Sequence, residues 1–300
     1  MAVSQKKLPR EMSSGRKLSR RTLSRRELLA GGIAGAFGLV GGELLTEPNR
    51  IQVVHQRVAI KGLPEPFRGY RVGVMSDMHW GDSIDMTYMH RACNALLELK
   101  PDVICFPGDF IHGRDRKTKV LPRLDGVLES LDAPDGVFGV LGNHDHWTGE
   151  KYSIQQIEDH SRVQLIDNRS KVIERKGKLL AIGGVGDLWE GKVLLSQAFK
   201  NVSPDVPRIL LSHNPDTAQA MDDRDTRVDL QISGHTHGGQ IFVPGIVDLT
   251  TRVSQYGSKF NRGLVQGARH QVFVSKGIGR PHGMRLFAPP DVVCLHLIPA

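Results

Sequence analysis

Six short apolar runs, five of them closed by glycine, carboxylate, amide or imidazole residues, set the strongest limit on how this chain can fold. They span 71–75, 103–106, 137–141, 179–183, 208–212 and 230–233. Apolar runs this short, bounded by turn residues, read as buried strands. Between several of them apolar residues recur at helical spacing: over 86–99 (Met89, Ala92, Cys93, Leu96 and Leu97), 121–131, 153–160 and 193–199. Buried strands alternating with amphipathic helices define a layered α/β domain, expected here over 51–300. Apolar and polar residues roughly alternate over 51–60, the pattern of a half-buried edge strand. After Gly239 the helical spacing stops, and 271–275 and 292–297 are the clearest late strands.

The chemistry lies just past the strand ends. Asp77 and His79 follow the first run and Gly108-Asp109 the second. Gly142-Asn143-His144-Asp145 follows the third, His213 the fifth, and Gly234-His235-Thr236-His237-Gly238-Gly239 the sixth. In an open α/β sheet, ligands bind in the crevice outside the carboxyl ends of the strands, so residues far apart in the chain meet at one edge. Asp77, His79, Asp109, Asn143, His213, His235 and His237 offer oxygen or imidazole donors. That mix suits zinc, manganese or iron and does not suit Cu(I). Seven donors exceed the three or four that one zinc takes, so two ions are expected. Paired ions need a bridging ligand, and Asp109, a carboxylate able to give one oxygen to each, is the candidate.

Asp-x-His, Gly-Asp, Gly-Asn-His-Asp, an isolated His and Gly-His-x-His, in this order, resemble the five motif blocks of the calcineurin-like metallophosphoesterase superfamily over 51–300. The longer run at 234–240, Tyr256-Gly257 and the segment 275–279 resemble its bacterial branch of exported or membrane-associated members. The resemblance implies a four-layer α/β sandwich: two mixed β-sheets flanked by helices, with a dinuclear metal site at the strand carboxyl ends. It implies that Asp77, His79 and His237 bind one divalent ion (Mn, Zn or Fe), that Asn143, His213 and His235 bind another, and that Asp109 bridges them. A hydroxide held between the ions would attack phosphorus in line and hydrolyse a phosphodiester, phosphomonoester or pyrophosphate. His144 has no metal role in that pattern and would steady the phosphate or protonate the leaving group. Trp80, where many relatives carry Leu, is the main departure.

The formal charge of +8 belongs to the leader. Residues 1–26 hold nine of the 40 Lys/Arg and one of the 32 Asp/Glu, so the remainder is balanced at 31 of each. A balanced body without aromatic stacking runs does not suit nucleic acid, and no nucleic-acid binding is expected. The basic stretch runs into an apolar, glycine-rich segment over 28–42 and a short linker ending at 50, the order of an export signal. Ser24-Arg25-Arg26-Glu27-Leu28-Leu29 resembles the twin-arginine signal, so the twin-arginine machinery is an expected partner and the location is expected to be periplasmic or extracytoplasmic. No small-x-small cleavage site stands out after the apolar run, which leaves open attachment to the plasma membrane through the leader. No stretch has the roughly 20 apolar residues of an ideal spanning helix, which excludes a polytopic membrane protein.

The other titratable residues read more plainly. His55, His90, His112, His160, His270 and His296 are expected on the surface or as satisfied core residues. His146 and His282 are expected near the site or on the surface. Asp145 is expected to orient a neighbouring loop or histidine. Arg262, Lys276, Arg280 and Arg285 either grip a phosphate or form a solvated rim. Cys93, Cys105 and Cys294, in apolar contexts and without a Cys-x-x-Cys pair, are expected to be buried and inert. Membrane targeting favours an envelope or lipid-borne phosphorylated substrate. A UDP-diacylglucosamine-type pyrophosphate hydrolase, as in related bacterial branches, stays open, although that task faces the cytoplasm. So does a metal-binding protein without catalysis, against which the intact His144 argues.

Overall fold

Four consecutive apolar residues with no polar alternation, such as Val103–Phe106, belong to a strand covered on both faces, and that is how the chain builds its sheets. The computed structural model describes residues 49–81, 84–113, 121–220, 223, 225–243, 246–280 and 284–300. The leader through residue 48 and His282 lie outside the described residues. In chain order the first sheet contains β1 (Gln52–Ile60), β2 (Arg71–Val74), β3 (Val103–Phe106), β4 (Val137–Gly139) and β5 (Val163–Leu165). The chain then forms β6 (Arg169–Arg175), β7 (Lys178–Gly184), β8 (Arg208–Leu211) and β9 (Leu230–Ser233). A small hairpin, β10 (Phe242–Val243) and β11 (Val247–Asp248), precedes β12 (Gly263–Gln266), β13 (Gln271–Val274) and β14 (Asp291–Pro299).

Two six-stranded sheets result, ordered β1-β14-β2-β3-β4-β5 and β12-β13-β9-β8-β7-β6. Both are mixed. β2 through β5 run parallel and β14 joins β2 antiparallel. β13, β9, β8 and β7 run parallel, with antiparallel β12 and β6 at the edges. Val72, Val74, Val103 and Cys105 of the first sheet share one buried core with Ile182, Ile209, Leu211 and Ile232 of the second. Each such side chain contributes about 1.5–3 kcal/mol relative to exposure.

The outer face of the first sheet is covered by α1 (Met86–Glu98), where Asp85 accepts the Tyr88 N–H at 2.8 Å as N-cap and Met89, Ala92, Cys93 and Leu96 are buried. A second helix, α2 (Asn143–His160), starts ten residues earlier than its apolar spacing suggested, because its first turn is made of site residues; it kinks at Gly149 (φ 128°). The second sheet is covered thinly, by α3 (Leu195–Ala198) and the chain around it. The expected helix over 121–131 does not form. Its Leu124, Val127, Leu128 and Leu131 are buried, but through tight turns (Val127 N–H to Leu124 O, 2.9 Å; Leu131 N–H to Leu128 O, 3.0 Å). Gly126, at φ 70°, turns the chain out of the helical region between them. Three-residue turns place apolar residues at nearly the helical interval, so the two share one sequence pattern. Among the described residues no helix is long and apolar enough to cross a membrane.

Candidate metal centre

Five strands deliver the expected residues, each from the turn after its carboxyl end. Asp77 and His79 follow β2, Asp109 follows β3, Asn143 and His144 open α2 after β4, His213 follows β8, and His235 and His237 follow β9. Asp77, His79, Asp109, His235 and His237 all take left-handed backbone angles, φ 48°, 49°, 55°, 69° and 51°. Such angles cost a non-glycine residue about 1–3 kcal/mol and persist only where the surroundings impose them. Here backbone bonds between turns do so: Asp77 N–H to Gly108 O (3.1 Å), His79 N–H to Asp109 O (3.1 Å) and Gly234 N–H to His213 O (3.1 Å). The strain aims five side chains at one point.

All seven expected donors converge there, and all are buried. His79 Nε2 lies 2.9 Å from His237 Nε2, with Asp77 Oδ1 3.6 Å from the latter. His213 Nε2, His235 Nδ1 and Asn143 Oδ1 lie 3.0–3.2 Å from one another. Asp109 Oδ2 lies between the two groups, 3.5 Å from His79 Nε2 and 3.2 Å from His213 Nε2. Its other oxygen, Oδ1, accepts the His144 N–H at 2.9 Å, so this carboxylate satisfies an otherwise open amide at the start of α2. The expectation is that Asp109 gives one oxygen to each ion; the geometry turns a single oxygen toward both clusters and keeps the other for the helix.

The far nitrogens of the rings decide which atoms face inward. His213 Nδ1 is 2.8 Å from Pro107 O, and His235 Nε2 is 3.1 Å from Val253 O. A ring nitrogen facing a carbonyl carries the hydrogen, so in the neutral imidazoles the lone pairs point into the cluster. Lone pairs of several imidazoles, an amide oxygen and two carboxylates facing one another at about 3 Å repel unless a cation lies among them. The donor set therefore fits divalent metal ions.

Burial drives the imidazoles of His79 and His237 well below the usual histidine range, and burial with His213 nearby takes His235 down to about 3. His213 goes the other way. Burial opposes its protonation, but the charge and hydrogen bond of Asp109 outweigh it and push it up to about 10. Burial likewise disfavours the Asp109 charge, yet His213 and then His79 hold that carboxyl well below its ordinary value. Burial raises Asp77 to about 6. The metal-free site thus keeps a proton on His213 at pH 7, and a cation taken up at Nε2 must displace it. Uptake therefore releases a proton, and affinity rises with pH as long as His213 is protonated. Titration calorimetry at pH 7 in two buffers of different ionisation enthalpy should give different apparent enthalpies. Identical values would contradict the proton on His213.

Gly142 leaves no room for a side chain: a Cβ there would lie 2.2 Å from Asp109 Oδ1 and 2.6 Å from its backbone nitrogen. Gly142→Ala should cost about 1–3 kcal/mol of stability, the range for overpacking, and lower metal content as Asp109 is displaced. A wild-type melting temperature together with wild-type metal content would show that the turn has slack. Asp145 performs the expected orienting role, accepting N–H bonds from Ile111 (2.9 Å) and Gly142 (2.9 Å) and so fastening the turns after β3 and β4 together.

His144 is half-buried, with its ring 4.6 Å from that of His79. His112, expected as an ordinary surface or core histidine, is part of this site. Its Nδ1 lies 3.0 Å from His79 Nδ1, and its ring stacks on His144 at 4.5 Å and 23°. Pairing between Trp80 and Ile111 beyond the strand ends carries His112 alongside His79, and no local pattern signals that extension. His270 is a satisfied core histidine on Gln231 (3.1 Å), as expected. The three cysteines are buried, with burial pushing the Cys93 thiol up to about 12 and Cys294 to about 11.

Of the four C-terminal cations, Arg285 and Lys276 are buried and take no part in a solvated rim, while Arg262 and Arg280 are partly exposed. Arg285 is fully buried, donating to the carbonyls of Lys276, Gly277, Gly279 and Ala288, with Nη2 3.3 Å from His237 Nδ1. Lys276 is buried on Gln52 (2.8 Å), Arg280 donates to Asn49, and Arg262 donates to Phe287 O (2.7 Å). A guanidinium that spans four carbonyls shapes the loop behind His237.

Two mixed sheets with a buried carboxylate–imidazole cluster at their strand ends define a metal-dependent hydrolase built on an α/β sandwich. The chain belongs to the calcineurin-like phosphoesterase family, which it matches over residues 70–239, and it is a metal-dependent phosphoester hydrolase. It is 28% identical over 274 residues to the uncharacterized metallophosphoesterase YkuE of Bacillus subtilis, covering 90% of this chain and 93% of that one. It is 28% identical over 255 residues to the phosphodiesterase YaeI of Escherichia coli (84% and 90%). It is 26% identical over 292 residues to the UDP-2,3-diacylglucosamine pyrophosphatase LpxG of Chlamydia muridarum (79% and 87%).

Proposed function

We propose that this chain cleaves a phosphodiester or pyrophosphate bond of an envelope or lipid-borne substrate outside the cytoplasm, using two divalent ions. Asp77, His79 and His237 would hold one ion, and Asn143, His213 and His235 would hold the other. Oδ2 of Asp109 lies between His79 Nε2 and His213 Nε2, and that placement is the observation which carries the reading. When bound, such ions supply Lewis acidity and a nucleophile derived from water at neutral pH. The chain's own groups do the rest. The carbonyls of Pro107 and Val253 fix the tautomers of His213 and His235, and the turns hold every donor in place before substrate arrives. His144, beside His79 and only half-buried, hands a proton to the departing oxygen. A diester or pyrophosphate is favoured over a monoester because two of the relatives are a phosphodiesterase and a UDP-2,3-diacylglucosamine pyrophosphatase.

The test is turnover of bis-p-nitrophenyl phosphate, p-nitrophenyl phosphate and a nucleotide-sugar lipid with Mn, Zn and Mg supplied separately. Diester or pyrophosphate cleavage well above monoester cleavage is expected; the reverse order would overturn the assignment. The name of the Chlamydia relative favours the pyrophosphate as the second reading.

The export route is part of the proposal and rests on Ser24-Arg25-Arg26-Glu27-Leu28-Leu29. A metal enzyme gains from crossing the membrane already folded, since its ions are then chosen beforehand. The paired change Arg25→Lys and Arg26→Lys should leave the protein in the cytoplasmic fraction. A variant exported like the wild type would rule this route out.

A further inference from the structure

Two tryptophans stand over the metal centre with much of their surface open: Trp147 is 54% and Trp189 44% exposed. They come from unconnected elements, Trp147 from near the start of α2 and Trp189 from the turn after β7. Each rests on a histidine of the site. Trp147 meets His144 edge to face at 4.7 Å, and Trp189 meets His235 edge to face at 4.5 Å. The two indoles face each other at 6.4 Å and 30°. Both are held before any ligand arrives. The Trp147 indole N–H donates to Glu190 Oε1 at 2.7 Å, which ties the helix to the other loop. Asp187, itself buried, accepts the N–H groups of Trp189 (2.8 Å) and Glu190 (3.0 Å) and shapes that loop.

Large apolar side chains left in water beside a polar, buried reaction centre call for a ligand. Indole offers a wide, flat, electron-rich face and loses little entropy on contact, and flat π-systems stack on it in preference to branched or flexible chains. From this we infer that Trp147 and Trp189 form a stacking wall for a flat aromatic group carried by the phosphoryl substrate, either a nucleobase or an aryl ester. The inference rests on the phosphoesterase reading of the same site and adds the chemistry of the group next to phosphorus.

The test measures binding to the metal-loaded full chain, by tryptophan fluorescence and calorimetry, of uridine 5′-phosphate, phenyl phosphate, ribose 5-phosphate and methyl phosphate. The wild type should bind the ring-bearing phosphates about 5- to 150-fold more tightly than the ring-free ones, the range for stacking on an aromatic side chain. A preference for the nucleotide over phenyl phosphate assigns the wall to a base, and the reverse assigns it to an aryl ester. In Trp189→Ala and Trp147→Ala the ring preference should fall toward unity, and Trp189→Phe should keep most of it. Equal binding of ring-bearing and ring-free phosphates by the wild type overturns the wall while leaving the phosphoesterase reading intact. Absence of turnover on every ester fails that reading, and the binding ratios still decide the wall. If the alanine variants lose sedimentation with phosphatidylglycerol vesicles yet keep the ring preference, the pair is a membrane contact and the inference is overturned.

Discussion

Replacing Asp109 by asparagine should empty both metal positions at once. The side chain keeps its size, but an amide has one oxygen where the carboxylate has two, and both are in use: Oδ1 on the His144 N–H, Oδ2 between His79 and His213. Asparagine satisfies one of these duties and turns an N–H₂ donor toward the other. Loss of an outer partner of a metal ligand typically costs 10- to 100-fold in affinity, so loss of the shared anion should cost more than about 100-fold at each position. Elemental analysis after loading should fall from two equivalents in the wild type toward none, and the rise in melting temperature on adding metal should shrink with it. His235→Ala should mainly lower one equivalent. A single equivalent in carefully loaded wild-type protein would end the two-ion reading.

The second large effect belongs to His144. Its backbone N–H is held by Asp109, while its ring is stacked on His112 and set against His79 and Trp147, so its position does not depend on bonding a metal. If the ring protonates the departing oxygen, His144→Ala and His144→Asn should lower kcat by about 10²–10⁴, the range for general acid catalysis, with metal content unchanged. The loss should be larger for an alkoxide leaving group than for p-nitrophenolate, which departs without a proton. Equal losses on the two would assign the ring to electrostatic support of the phosphate. Loss of a metal equivalent would make it a ligand.

Much of this site was legible in the linear chain because its chemistry is local. Asp77 and His79, Gly142-Asn143-His144-Asp145 and His235-Thr236-His237 are short words at strand ends, where turns must form and polar groups can be buried only with partners. The apolar runs before them have the length and composition of covered strands, and nearly all became strands. The alternation that identified 51–60 survives in β1, with its exposed and less exposed positions alternating through Arg57. β5, β6 and β12 carry mixed or short patterns at sheet edges, where burial on one side leaves little trace in the sequence. The apolar spacing of 121–131 is real but is satisfied by turns, since one glycine suffices to divert the chain.

What the sequence determined by itself is the inventory: which donors exist, in what order, after which strands, and hence a layered α/β hydrolase with metal-binding side chains at one edge. Which atom of each donor faces inward depended on the packed structure. His79 and His237, 158 residues apart, meet through Nε2 because two separate sheets bring their strand ends together. The single inward oxygen of Asp109 follows from the start of α2 claiming the other, and the recruitment of His112 from strand pairing that runs past the site. The burial of Arg285 and the meeting of Trp147 with Trp189 have the same origin. Periodicity and turn chemistry act over a few residues and can be read along the chain. Contacts across tens or hundreds of residues are chosen by how the sheets pack, and only the tertiary structure contains that choice.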